Sequence, residues 1–93
     1  VSQFLTAIAE LEPMAVFRVA PAYPRRLAES NTNGYAVLRL RLNADGTVAE
    51  ALAIEASHPE FAASASEAAG QWLYTPTKAG TTLDDVRLEF RRN

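Results

Sequence analysis

Between Gly34 and Ala56 the chain alternates between apolar and polar positions. Ala36, Leu38, Leu40 and Leu42 are offset by one from Tyr35, Val37, Arg39 and Arg41. A period of two with arginines on one side predicts a strand with one covered face and one wet face. Asn43-Ala44-Asp45-Gly46 fits a short hairpin loop with glycine at a positive-φ position. The return strand is expected over Thr47 to Ala56, and its weaker alternation fits a bulge near Glu50-Ala51. A last strand repeats the period, with Val86, Leu88 and Phe90 set against Arg87 and Glu89, after a loop over "TKAGTTLDD".

Elsewhere the period lengthens. Val1, Phe4, Leu5, Ile8 and Leu11 recur at helical spacing and stop at Pro13. That helix either packs on the domain or forms the tail of a linker. "AVFRV", residues 15–19, reads as a short strand, and "PAYP" follows it. Pro24 suits the first turn of a short helix over 24–29 with Leu27 and Ala28 facing inward. Asn31 to Gly34 is a turn cluster. In "SHPEFAASASEAAGQWLYTP" the residues Phe61, Ala65, Ala68, Ala69 and Trp72 form one apolar stripe. Ser57 or His58 caps this helix, Pro59 sits in its first turn and Pro76 ends it. Gly70 either weakens the last turn or admits a close helix–sheet contact. The element order predicts an α+β fold: a small three-stranded antiparallel sheet, plus a short N-terminal strand, with two helices packed on one face. Residues 15–93 form the domain, and 1–14 an N-terminal helix or linker segment.

Composition narrows the function by exclusion. Ninety-three residues make one domain with a modest core. A net charge of −2 argues against nucleic acid, which calls for a basic footprint. With no cysteine, disulfides, thiolate metal sites and cysteine catalysis are excluded. No apolar run is long enough to cross a membrane. The chain starts at Val1 rather than Met, and is expected to be cut from a longer protein.

Candidate chemistry is sparse, and no cofactor is expected. His58, the one histidine, lies at a helix start beside Glu60, and a solvated cap explains it better than a metal or acid–base site. Ser57, Ser64 and Ser66 have no base beside them, and the four glycines are too scattered for a phosphate loop. Trp72 is a core anchor by its spacing. No enzyme is indicated. What remains is a small sheet with open edges, and open edges recruit further strands.

The ordered motifs resemble the C-terminal domain of the TonB energy-transducer family. Pro21, Tyr23 and Pro24 match its P-x-YP motif. Gly34, Leu38, Leu40, Leu42, Asp45, Gly46 and Val48 match its hairpin, Trp72, Tyr74 and Pro76 its W-x-[FY]-x-P, and Val86, Leu88 and Phe90 its last strand. The match covers roughly residues 17–91. Each motif is weak alone, and four in order are specific.

The resemblance implies a periplasmic domain of a Gram-negative protein, anchored in the inner membrane by an upstream helix. It implies capture of the TonB box of a TonB-dependent outer-membrane receptor as an added strand, with force supplied through upstream regions by an ExbB/ExbD-type motor for uptake of siderophore, haem or other scarce nutrients. The contacts it implies are Ala20, Pro21, Ala22 and Tyr23 on the proline segment, and Val86, Arg87, Leu88, Glu89, Phe90 and Arg91 on the last strand. The alternative is a TolA-like envelope scaffold, or the periplasmic sensor domain of a membrane signalling protein. Open edges also allow a strand-swapped homodimer. Three departures stand out: well-studied members carry a glutamine where this chain has Ala20, Gly70 sits where a helix-favouring residue is usual, and residues 1–14 have no clear counterpart in the family pattern.

Overall fold

A computed structural model describes residues 13–92. The helix expected over residues 1–12 lies outside the described residues. The elements are β1 (Ala15–Phe17), α1 (Arg25–Glu29), β2 (Gly34–Leu42), β3 (Val48–Ala56), α2 (Pro59–Ala69), β4 (Leu73–Tyr74) and β5 (Thr82–Phe90). The main sheet is antiparallel, ordered β3-β2-β5, and a separate two-stranded ribbon pairs β1 with β4. The predicted α+β architecture is the observed one, with β4 as an addition.

The alternation in β2 does what its period requires. Ala36, Leu38, Leu40 and Leu42 are all buried, and Arg39 and Arg41 are exposed. The covered face meets α2 through Phe61, Ala65 and Ala69, and meets α1 through Leu27. Alanines on that stripe leave little bulk between helix and sheet, so Phe61, Phe90 and Tyr23 fill the end of the core. Phe61 stacks on Phe90 at 4.3 Å between centroids, and both present faces or edges to the Tyr23 ring at 5.6–5.8 Å.

The hairpin loop is tied at both ends. Asn43 N–H bonds the Thr47 carbonyl at 2.8 Å, and Gly46 N–H bonds the Asn43 carbonyl at 3.0 Å. Gly46 has φ +90°, and a Cβ there would drive into the Tyr74 carbonyl. Its own carbonyl accepts from Tyr74 N–H at 2.8 Å, so the loop is packed against β4.

Several boundaries differ from expectation. The return strand is bulged at Ala49, next to the expected Glu50-Ala51, and a second time at Ile54, which was not expected. β5 starts at Thr82, inside the stretch expected to be loop. Its bulge opposite Arg39 places Asp85 at φ 57°, a conformation aspartate tolerates better than most residues. Pro24 is the cap before α1 rather than its first residue, and its carbonyl accepts from Ala28 N–H at 2.9 Å. Gly70 is exposed and right-handed at φ −62°, so it serves no close helix–sheet contact. His58 caps α2 with its backbone alone. Its ring lies edge-on to Phe61, and its Nδ1 is buried with no hydrogen-bond partner among the described residues.

Candidate functional site

The proline-rich segment does not lie on the sheet. Residues 13–21 run as an arm beside the outer edge of β5, and among the described residues no backbone hydrogen bond joins the two. Between them is a trough in two stretches of about 380 and 370 Å³ that meet at Arg18. One stretch is bounded by Pro13 and Ala15 on the arm and by Thr82, Leu83, Asp84 and Val86 on β5. The other is bounded by Val19, Ala20 and Pro21 on the arm and by Arg87, Leu88 and Glu89 on β5, with Trp72 between them.

What holds the arm off β5 is specific. Trp72 is 3% exposed, and its Nε1–H donates to the Val19 carbonyl at 2.8 Å. A buried indole needs such a partner, and here the partner is the arm's backbone. The Arg18 guanidinium lies 4.4 Å from the Trp72 ring centroid and donates to the Tyr74 hydroxyl at 3.3 Å. Thr75 N–H bonds the Met14 carbonyl at 2.9 Å, and Met14 N–H bonds Thr75 Oγ1 at 3.0 Å. Trp72, Tyr74 and Thr75 therefore clamp three successive stretches of the arm. The prolines complete the restraint, since each fixes φ near −65° and disfavours helix at the residue before it.

The expected contact residues divide. Ala20 and Pro21 face Arg87, Leu88 and Glu89 across the trough, and Val86 lies further along it beside Arg18. Ala22 turns away, its carbonyl accepting from the Ser64 hydroxyl. Tyr23 points into the core and donates its hydroxyl proton to the Thr32 carbonyl. Phe90 is buried, and Arg91 sits at the far end of the sheet beside Asn33 and Tyr35. Arg18, Val19 and Trp72 also belong to the trough; the sequence carries no signal for the first two and marks Trp72 only as a core anchor and motif residue. Helical spacing assigns Trp72 to the core correctly and hides its second role; the hydrogen-bonding need of a buried indole was the available signal.

This arrangement brings together a family's motifs. A model of the Gram-negative bacterial TonB protein C-terminal domain matches residues 19–92. The chain belongs to this family. It is thus a TonB-type periplasmic domain, of a family that is non-enzymatic and energy-transducing. No curated protein matches the chain. In this TonB C-terminal domain the P-x-YP motif is the arm's rigid end, W-x-[FY]-x-P is the clamp, and the last strand is the open edge. Among the described residues, no helix is long and apolar enough to cross a membrane, and no acidic or histidine cluster could hold a metal ion.

Several charges on the wet face of the sheet are paired. Arg39 Nε meets Asp84 Oδ1 at 2.7 Å, and Arg87 Nε meets Glu89 Oε1 at 3.2 Å. Arg87 also stacks over Tyr35 at 4.2 Å, and Tyr35 donates to Glu55 at 2.5 Å, which raises the phenol pKa. Arg18 differs: among the described residues it has an aromatic face and a hydroxyl for partners, and no carboxylate.

Proposed function

We propose that this domain captures an extended N-terminal segment of a TonB-dependent outer-membrane receptor, the TonB box, as a strand added to the outer edge of β5. Upstream regions then carry force from an ExbB/ExbD-type motor, driven by the proton gradient, to open the receptor for uptake of scarce nutrients. The observation that carries this reading is the trough between the clamped arm and β5. A strand edge templates another strand through its unpaired N–H and C=O groups. The run Val86–Phe90 pairs one-to-one with β2 on its other side, from Leu38 to Gly34, so its free edge is regular. A rigid arm in front of that edge limits the ordering needed on binding.

The test is an NMR titration of the domain with peptides copied from the N-terminal segments of TonB-dependent outer-membrane receptors. Shifts concentrated on Arg18–Pro21 and Val86–Glu89 are expected. Shifts confined to the opposite edge, at Leu52 and Ile54 of β3, or no shift with any peptide, would refute the reading.

A further inference from the structure

The trough has a shape as well as an edge. A strand added to β5 continues the sheet, so its residue beside Leu88 points to the same face as Leu88. Leu88 points inward, towards the covered face, while Arg87 and Glu89 point outward. The inward residue of the newcomer therefore enters the stretch of trough floored by Leu88, Trp72, Val19, Ala20 and Pro21 and rimmed by the charged side chains of Arg18, Arg87 and Glu89. The five floor residues are apolar, and the Trp72 nitrogen is already satisfied by Val19. Of the five, Ala20 has the shortest side chain and is exposed.

We infer that Ala20 sets the size of an apolar notch that takes one bulky apolar side chain, leucine- to phenylalanine-sized, from the incoming strand. The inference rests on the strand-docking reading above and adds its selectivity. The occupant is an extended segment of another protein, with a large apolar residue beside Leu88 and polar residues flanking it on the solvent side. Charge agrees with this. At the junction of the two stretches Arg18 lacks a carboxylate among the described residues, whereas Arg87 and Asp84 each have a partner of opposite sign. An acidic residue in the same segment would complement Arg18. A longer side chain at position 20 would fill the notch itself and remove the preference.

The experiment is a host–guest titration. A receptor-derived peptide, capped at both ends, is varied at each position in turn to alanine, leucine or phenylalanine, and bound to the wild-type domain and to Ala20→Leu. Ala20 is exposed, so the variant is expected to fold, which its NMR spectrum checks. In the wild type one position should favour leucine or phenylalanine over alanine by about tenfold. Ala20→Leu should reduce that ratio to about one while retaining binding through the β5 edge. A flat series in the wild type, or an unchanged ratio in Ala20→Leu, overturns the assignment of Ala20 and leaves strand docking intact. Loss of all shifts on β5 overturns both. If the Leu88 and Trp72 resonances of the free domain move on simple dilution, a second copy of this chain occupies the notch, and the inference fails.

Discussion

Trp72→Phe tests the clamp that makes the trough. The substitution keeps an aromatic ring in the core and deletes the Nε1–H that reaches the Val19 carbonyl at 2.8 Å. A net intramolecular hydrogen bond is worth about 1 kcal/mol. The missing half of the indole removes buried atoms and leaves space behind, worth about 1–2 kcal/mol given the 3–5 kcal/mol range for deleting a whole aromatic side chain. The cation–π contact with Arg18 at 4.4 Å is weakened rather than lost, by up to about 0.5 kcal/mol. The expected destabilisation is about 3 kcal/mol, which for a domain of this size lowers Tm by about 12–24 °C. Urea denaturation followed by circular dichroism measures it. The functional consequence is separate. With the arm released, the wall facing β5 is no longer preset, and peptide affinity should fall at temperatures where the variant is fully folded. Arg18→Met, which retains the indole bond, should destabilise by only about 1 kcal/mol. A Trp72→Phe domain with wild-type stability and wild-type peptide affinity would refute the clamp.

Gly46→Ala combines a left-handed φ with a Cβ driven into the Tyr74 carbonyl, so it should destabilise by at least about 2–3 kcal/mol in thermal denaturation. Gly70→Ala should have the opposite sign. The site is exposed and helical in φ, and a Cβ there meets nothing closer than 3.6 Å, so a gain of about 0.5–1 kcal/mol is expected in the same assay. Asp45 is held below the usual carboxylate pKa first by the Thr47 hydroxyl and then by the Thr47 N–H. A lowered native pKa contributes stability that is present above the unfolded value of about 3.9 and lost as pH falls through the native one. Asp45→Asn, which retains an acceptor oxygen but cannot ionise, should therefore flatten the acid limb of the stability–pH curve below about pH 4, lying below the wild type at neutral pH and converging with it in acid.

Much of this fold is legible from local rules. β2 declares itself because its covered face is lined with leucines and its wet face with arginines, and Gly46 declares the turn. α2 is legible from Phe61 and its alanines. β1 is legible as the short strand of "AVFRV", although it ends at Phe17. Its pairing with β4 is not: Val16 is 61% exposed and Phe17 57%, so no burial pattern says what β1 lies against, and two residues of β4 are too few to show a period. The start of β5 was hidden because Asp84-Asp85 is unfavourable strand sequence. Asp84 is compensated by Arg39, and Asp85 by the bulge that lets it turn left-handed. The site was half legible. Pro21 and the last strand drew attention by backbone rigidity and by an open edge. Tyr23 shares their motif, but its ring packs edge-on against the stacked Phe61–Phe90 pair. Arg18 and Trp72 escaped because a side-chain bond across 53 residues leaves no local pattern.

The sheet has two edges, and only one suits a guest. β3 carries bulges at Ala49 and Ile54, each of which breaks the one-to-one register a docking strand would need. Bulges are a recognised way to blunt an edge against unwanted pairing. β5 has its irregularity confined to Leu83–Val86, and from there to Phe90 its register is unbroken. The arm stands in front of that regular half, with Trp72 holding Val19 there. An edge left regular and merely bordered recruits a strand of the right shape, whereas an edge paired with the arm would recruit none. The separation is set by the clamp, so under the proposed docking selectivity would rest on the length of the side chains at positions 18 and 20 as much as on β5. Converting Ile54 to a regular pair, by deleting one residue of the β3 bulge, should create a second strand-accepting edge. Self-association in sedimentation velocity beyond that of the parent would reveal it. A monomer of unchanged stability after that deletion would show that the bulge was not what kept β3 unpaired.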